Sequence, residues 1–377
     1  MKIGFYAPLK PPDHPAPSGD RRMARLLMTA LEGMGHQVAL ISTLRCYNRD
    51  ADSRLEDRIA AEAAAETDRL VASWQADPAT RPDLLFTYHV YHKAADYLGP
   101  ALKVRLAVPY VIAEASIAPK RRNGPWAKGY VQAEAAIRAA DALLAITELD
   151  RVCLAGFAGE EKVSLLPPFL DPAPYRAAAT ERDEHRRMLA GRFGLDPHKP
   201  WLLAVGMMRA GDKLASYACL AEALSLASGR PFQMIVVGDG PERTAVEHAF
   251  AGTNTCFLGQ QDADGLARIY AACDLYVWPA VNEAYGLALL EAQAAGLPVL
   301  SVRTRGVPDI VRHGETGWLI EDHSPRAMAE ALRELLAQPP QLAQMSRAAA
   351  DHVGSHLSMA MARKRLAALF RHLGLPQ

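Results

Sequence analysis

The sequence lacks the features that mark several whole classes of protein. It carries no excess charge, since Lys+Arg and Asp+Glu both number 42 across 377 residues. That balance removes any global argument for a nucleic-acid partner or an anionic surface and leaves only local patches. The five cysteines (Cys46, Cys153, Cys219, Cys256, Cys273) are scattered, odd in number and without a CxxC pair. Such usage suits a reducing compartment and argues against a disulfide framework or a structural zinc site. No apolar run approaches the ~20 residues that cross a bilayer. The opening MKIGFYAP turns to proline before any stretch long enough for a signal peptide. Repeats and low-complexity segments are missing as well. A cytoplasmic protein is expected.

What remains is a globular composition, 50% hydrophobic and 22% charged. A chain of 377 residues is too long for one ordinary core, so two domains are expected. Short runs rich in β-branched or aromatic residues recur: KIGFYAP, QVALIST, DLLFTYH, PYVIAEA and ALLAIT, then WLLAVG, QMIVVG, TCFLG, LYVWPA and PVLSV. Helical stretches lie between them, among them RRMARLLMTALEGMG, closed by Gly35, and the alanine-rich surface helix of residues 54–75. About ten strands in two groups, alternating with helices, spell βαβ units and parallel sheets covered on both faces. The break falls in residues 165–200, where prolines cluster and charges thicken. We read it as a connection followed by the opening helix of a second domain. The expected division is 1–170 and 171–357, with a helical tail over 358–377. Two doubly wound Rossmann-like domains would face a deep cleft, and ligands would sit beyond the carboxyl ends of the strands.

Four strand ends carry candidate chemistry. Ser18-Gly19-Asp20 follows the first strand and a proline-rich loop and leads into a helix near Arg21; Gly19 would let backbone approach a ligand. In AVGMMRAGDK, residues 204–213, Arg209 and Lys213 offer a guanidinium fork and an ammonium to a diphosphate. VVGDGPER has Gly238 in a GxG, but Arg243 stands where a dinucleotide fingerprint needs its third glycine, which disfavours a dehydrogenase. The fourth is NEAYGLALLEAQAAGLPV, residues 282–299, where Glu283 lies in a loop, Tyr285-Gly286-Leu287 open a helix and Glu291 follows inside it. Free N–H groups at that helix mouth suit phosphate oxygens. Eight residues rise roughly 12 Å on a helix, too far for both acids to serve one carbon. One acid would face a sugar and the other a ribose. The ligand this pattern fits is a nucleotide-sugar.

Glu283 and Glu291, in the setting NEAYGLALLEAQAAGLPVLSVRTRGVPDIVRHGETGWLI, closely resemble the signature of the retaining glycosyltransferases of family 4, whose fold is GT-B. The likeness extends over LLPPFLD, VVGDGPER and FLGQQDADGLARIYAACDLYVWPA, and so over most of residues 160–322. The resemblance implies that Glu283 contacts the transferred sugar and Glu291 the ribose. It implies that the amides of Tyr285, Gly286 and Leu287 hold phosphate, that Lys213 stabilises the leaving diphosphate, and that the loop around Leu258 faces the base. The acceptor would approach from the N-terminal domain, and the last helix would pack back on that domain. Two departures stand out. The family usually carries arginine directly after the strand's glycine, where this chain has Met207; Arg209 would have to reach the same phosphate. Many relatives place histidine at the end of the strand PYVIAEAS, where this chain offers Glu114. Either Glu114 substitutes for it or the role is missing, and His89 and His92 in TYHVYHK are further acceptor-side candidates.

The family implies transfer with retention, the acceptor attacking on the face from which the UDP- or GDP-linked leaving group departs. No cofactor and no metal are expected. Asp262-Ala263-Asp264 spells a DxD but precedes a helix, where capping explains it better. Residues 119–130 gather Lys120, Arg121, Arg122 and Lys128 with Trp126 and Tyr130. They could touch anionic lipid at the inner face of a membrane, or form an acceptor-side loop in solution. A glycan or lipid-linked acceptor fits either. The rival readings are a non-catalytic descendant that binds nucleotide or glycan as a scaffold and, further off, a nucleotide-sugar epimerase.

Overall fold

The computed structural model describes all residues except 17, 228–230 and 377. The chain divides into two compact units, Met1–Pro167 with Met359–Gln377, and Pro168–Ser358. In the first unit the order is β1 (Lys2–Tyr6), α1 (Gly19–Glu32), β2 (Gln37–Leu40), α2 (Ser53–Ala76), β3 (Leu84–Val90), α3 (Leu98–Leu106), β4 (Tyr110–Ala115), α4 (Ala127–Ala139), β5 (Ala142–Ala145), α5 (Glu148–Ala158) and β6 (Val163–Leu165). The second unit runs through α6 (Ala173–Thr180), α7 (Arg182–Phe193), β7 (Trp201–Val205), α8 (Asp212–Leu226), β8 (Gln233–Val237), α9 (Arg243–Ala249), β9 (Thr255–Phe257), α10 (Ala263–Ala272) and β10 (Leu275–Trp278). It closes with α11 (Leu287–Ala294), β11 (Val299–Val302), α12 (Val307–Ile310), β12 (Gly317–Ile320), α13 (Pro325–Leu336) and α14 (Pro339–His356), after which α15 (Met359–His372) belongs to the first unit. There it packs beside α1, with Phe370 tilted against His36 at 5.5 Å between ring centroids.

Each unit holds one parallel six-stranded sheet, ordered β2-β1-β3-β4-β5-β6 and β12-β11-β10-β7-β8-β9. The sequence reading found ten of these twelve strands. The two it missed, β6 and β12, are the outermost strands at one edge of each sheet. β6 has three residues and β12 opens on Gly317, so neither gives a convincing apolar run. Central strands are buried almost throughout. That is the burial expected of parallel strands covered by helices on both faces.

Three helix boundaries differ from expectation for local reasons. Helix α1 begins at Gly19 rather than near Arg21, because the Ser18 hydroxyl caps it by accepting from the Arg21 N–H at 3.2 Å. It ends at Gly33, with Gly35 (φ +86°) in the turn beyond. Helix α11 begins at Leu287, since Gly286 is left-handed (φ +77°) and cannot belong to it. The charge-rich stretch 165–200 contains two helices, and its charges have a structural use. Arg182 and Arg186 on α7 grip the Asp274 carboxylate and the carbonyls of Ala271, Ala272 and Cys273. Asp274 also accepts from the Trp201 N–H, so one clamp fixes where β7 and β10 begin.

A second polar anchor lies in the first unit. Asp96, fully buried, accepts from the Leu98 and Gly99 N–H groups and from the hydroxyls of Thr87 and Tyr110, at 2.6 to 2.9 Å. It ties the start of α3 to β3 and β4. Removing it strands four buried donors, each of which costs free energy when unmet. Asp96→Ala should therefore lower stability by about 2–4 kcal/mol, measured as a shift of the urea midpoint; a loss under about 1 kcal/mol would contradict this account.

Candidate functional site

The strand order of the second sheet reverses at β7. The chain lays β8 and β9 on one side of it and then places β10, β11 and β12 on the other. The loops leaving β7 and β10 therefore diverge, opening a crevice beyond their carboxyl ends. Lys213, in the first turn of α8 after β7, meets Glu283 in the loop after β10. The Lys213 Nζ lies 2.5 Å from the Glu283 Oε2, and both side chains are about one-fifth exposed. Trp278, the last residue of β10, donates its indole N–H to the same carboxylate oxygen at 3.3 Å. Its ring lies beneath the ammonium, 5.1 Å from centroid to nitrogen. Asn282 is held in turn by donating to the Asp212 carboxylate at 3.0 Å.

The loop that carries Glu283 is strained. Ala280, Asn282 and Gly286 are all left-handed (φ +55°, +53° and +77°), a conformation that costs non-glycine residues energy and that concentrates at functional sites. At Gly286 a Cβ would also lie 2.9 Å from the Leu289 side chain. This turn delivers Tyr285, Gly286 and Leu287 to the mouth of α11, which has no side-chain cap. Glu291 lies one turn further in, 4% exposed, and its carboxylate accepts from the Tyr270 hydroxyl at 2.9 Å. Burial and the Glu291 charge together hold the Tyr270 hydroxyl well above its ordinary range.

The remaining candidates of this unit are placed less directly. Arg209 is exposed on the β7–α8 loop, and its side chain makes no hydrogen bond or ion pair with other described residues. Gly238 and Gly240 (φ +140° and +155°) are needed for close backbone approach. A Cβ on Gly238 would lie 1.9 Å from the Gly206 carbonyl, and one on Gly240 would lie 2.2 Å from that of Met208. The GxG of VVGDGPER therefore locks the loop after β8 onto the loop after β7. At Leu258 the backbone is largely committed: its N–H donates to Val236 and its carbonyl accepts from the Gln261 amide at 2.6 Å. Asp262 caps α10, accepting from the Gly265 N–H at 2.7 Å. Among the described residues, no three His, Cys, Asp or Glu side chains are grouped to hold a metal.

The first sheet reverses between β1 and β3, and it too gathers charge there. β3 and β4 are each interrupted by one half-buried residue, His89 and Glu114, at matching positions of the paired strands. Both are left-handed (φ +64° and +60°), which turns their side chains out of the sheet's pleat. The His89 Nδ1 lies 3.2 Å from the Asp20 carboxylate and 3.5 Å from that of Glu114. Burial alone would depress the imidazole, but the charges of Glu114 and Asp20 prevail and raise it to about 9. Burial pushes the Glu114 carboxyl up, while His89 draws the Asp20 carboxyl down. At neutral pH His89 is thus an imidazolium, a donor rather than a base. His92, beyond the end of β3, takes no part in this cluster; its ring packs edge-on against Tyr91 and Trp126. Gly19 opens helix α1 next to Asp20.

Sequence reasoning therefore found Lys213, Glu283, Glu114 and His89 but missed three partners. Trp278 and Tyr270 read as core aromatics, which they also are. Asp20 was in view beside Gly19, but nothing in the sequence paired it with a histidine sixty-nine positions on.

Comparison with known proteins identifies the class. Residues 195–352 match the family described as "Glycosyl transferases group 1", so this part of the chain is a glycosyltransferase group 1 domain. The chain is 34% identical over 204 residues to the D-inositol 3-phosphate glycosyltransferase of Rhodococcus erythropolis, covering 51% of this chain and 44% of that protein. It spans about half the length of the curated relatives it matches. Sucrose-phosphate synthase from Thermosynechococcus elongatus superposes on 99% of both chains, with a TM-score of 0.73 and 19% identity. An Anabaena protein crystallised with UDP does so on 98% of this chain and all of its own, with a TM-score of 0.74 and 16% identity. At such identities these two show the fold, which is GT-B.

The His89 cluster makes stability depend on pH in a definite direction. A histidine raised from about 6.5 to about 9 contributes stability that is complete below pH 6.5 and is lost as pH rises through 9. His89→Gln should thus cost on the order of 1–3 kcal/mol at pH 6 and much less at pH 10, read from urea unfolding at both values. An equal loss at the two would show that the cluster is not held by charge.

Proposed function

We propose that this protein moves a sugar from a UDP- or GDP-linked donor to an acceptor hydroxyl with retention of anomeric configuration, in the synthesis of a glycan, glycolipid or polysaccharide. The observation that carries the proposal is the Lys213–Glu283 pair at the strand reversal of a group 1 domain, at the mouth of the uncapped helix α11. In this reading the acceptor oxygen bonds to the anomeric carbon as the bond from that carbon to the phosphate oxygen breaks. The departing phosphate takes the acceptor's proton on the same face. Lys213 and the N–H groups of Tyr285, Gly286 and Leu287 offset the charge that develops on the diphosphate, which needs no metal. Glu283 orients the transferred sugar, Glu291 takes the ribose, and the loops after β8 and β9, which bear Gly238 and Leu258, line the base. Arg209, free on its loop, closes on the diphosphate.

The acceptor side is assigned to Glu114, His89 and His92 of the first unit, while Gly19, at the start of α1, is read as a donor contact. A protonated His89 cannot serve as base, which supports the leaving phosphate in that role. The name of the Rhodococcus relative supports sugar transfer, and UDP in the Anabaena complex supports a nucleotide donor. No described helix is long and apolar enough to cross a membrane. The reading places the protein in the cytoplasm, with residues 119–130 as its contact with the inner face of a membrane. One observation favours a second reading, a non-catalytic descendant that binds nucleotide or glycan as a scaffold: the guanidinium of Arg209 makes no hydrogen bond or ion pair with other described residues.

Thermal-shift screening with UDP, GDP, ADP and their sugar conjugates, followed by turnover assays with the donor that binds, tests the proposal. A ligand at one hundred times its dissociation constant should add about 2.7 kcal/mol of stability. Lys213→Ala should lower kcat by roughly 10²–10³, the effect of losing one preorganised charge at a transition state. Glu283→Gln should abolish transfer while still folding and binding nucleotide. Binding without turnover in the native protein would favour the descendant, and near-native turnover in either variant would remove the site assignment.

A further inference from the structure

Trp126, the residue that precedes helix α4, is flanked by two cations that form no ion pair with a carboxylate among the described residues. The Lys93 ammonium lies 4.8 Å from its ring centroid and the Arg121 guanidinium 4.9 Å. The His92 ring meets the indole edge-on at 5.7 Å. Their neighbours behave otherwise: Arg122 is paired with Glu134 and Lys128 with Asp57. Glu56 is committed to the amide of Asn48 and the hydroxyl of Tyr97, both at 2.7 Å. Lys93 and Arg121 thus keep uncompensated charge in a crowded place.

Three polar atoms of this group, the Arg121 Nε, the Trp126 Nε1 and the His92 Nε2, are shielded from solvent and have no hydrogen-bond partner among the described residues. A buried donor left unmet costs about 1–3 kcal/mol, so three at one point are unusual unless something completes them. The backbone adds to the pattern. Helix α4 starts at Ala127 with no side-chain cap, and its first turn presses on the His92 loop so closely that a Cβ on Gly129 would lie 2.2 Å from the His92 carbonyl. Burial and the charges of Arg121 and Lys93 push His92 down to about 4, so at neutral pH it adds no third positive charge. It can still donate from Nε2 in that tautomer.

We infer that Lys93, Arg121, Trp126 and His92, with the N-terminus of α4, form a binding site for a phosphate group in the first unit. A guanidinium and an ammonium suit phosphate oxygens, the indole and imidazole N–H groups add neutral donors, and the helix end adds its partial charge. Admitting the group requires Trp126 and Arg121 to turn, which exposes the shielded N–H groups to its oxygens, and the group neutralises both cations. That this phosphate belongs to the acceptor rests on the transfer reading above; the existence of the site does not. The phosphate could be borne by a small soluble molecule or by a lipid headgroup, and the two are separable by experiment.

The test is calorimetric titration of the full-length protein with inorganic phosphate. In parallel, flotation uses phosphatidylcholine vesicles with and without phosphatidylglycerol. Saturable phosphate binding that weakens at least about tenfold in Lys93→Ala/Arg121→Ala and survives in Lys213→Ala is the expected result, and it marks a soluble phosphorylated molecule. Flotation with the anionic vesicles alone, lost in the same double variant, marks a lipid headgroup. Trp126→Phe keeps an aromatic ring and removes the N–H, so it guards against a double variant that fails to fold, and it should weaken binding while the protein still melts cooperatively. Binding lost in Lys213→Ala but kept in Lys93→Ala/Arg121→Ala would assign the anion to the second unit and overturn the inference. Absence of both phosphate binding and flotation would overturn it equally.

Discussion

In both units the reversal of strand order decides where polar chemistry can exist. Parallel strands covered on two faces offer no water to a charged side chain along their length, and burial there would cost several kcal/mol per ion. Beyond the strand ends the constraint relaxes, and it relaxes most where two neighbouring strands send their loops in opposite directions. Lys213 and Glu283 follow β7 and β10, which flank the reversal of the second sheet. His89 ends β3 and Asp20 follows β1, which flank the reversal of the first. Each sheet thus brings a charged cluster to the carboxyl ends of its strands near the reversal.

The loops at these places are fixed by backbone rather than by side-chain packing. Left-handed residues recur at both: Ala280, Asn282 and Gly286 in one unit, His89 and Glu114 in the other. Each persists only because its surroundings over-determine it. Gly238 and Gly240 do part of that in the second unit, holding the loop after β8 against the carbonyls of Gly206 and Met208. The Arg182–Arg186–Asp274 clamp secures the opposite ends of β7 and β10. Lys213 and Glu283 are held between two rigid constraints, one at each end of the strands that present them.

The two charge clusters are balanced differently. Lys213 and Glu283 neutralise each other and share Trp278, whose ring favours the cation and whose N–H favours the anion. A dianionic ligand that approached this pair would redistribute a charge already in place, without the cost of burying a new one. In the other cluster a single imidazolium stands between Asp20 and Glu114, and the acids outnumber it. That excess holds the proton on His89 through the neutral range.

Periodicity and motif made much of this legible in advance. Ten of twelve strands, two doubly wound units, and the placing of Glu283 and Glu291 around a helix mouth follow from local pattern, because apolar runs and glycine-bearing turns act over a few residues; the GT-B architecture was implied by the family resemblance of those motifs. The missed strands, β6 and β12, lie at sheet edges, where only one neighbour demands hydrogen bonds and a short segment suffices. Side-chain partnership was not legible. Lys213 and Glu283 are seventy positions apart, and Asp20 and His89 sixty-nine; their contact depends on which strands lie adjacent, a property of topology that no local spacing encodes. The packing use of the glycines of VVGDGPER, which lie against the carbonyls of Gly206 and Met208, was not legible either. The sequence by itself determined the class of fold and which residue types stand at the strand ends, since both depend on interactions among near neighbours. Tertiary structure alone decided which of those residues meet and which of them carry charge, because long-range packing sets both the distances and the desolvation.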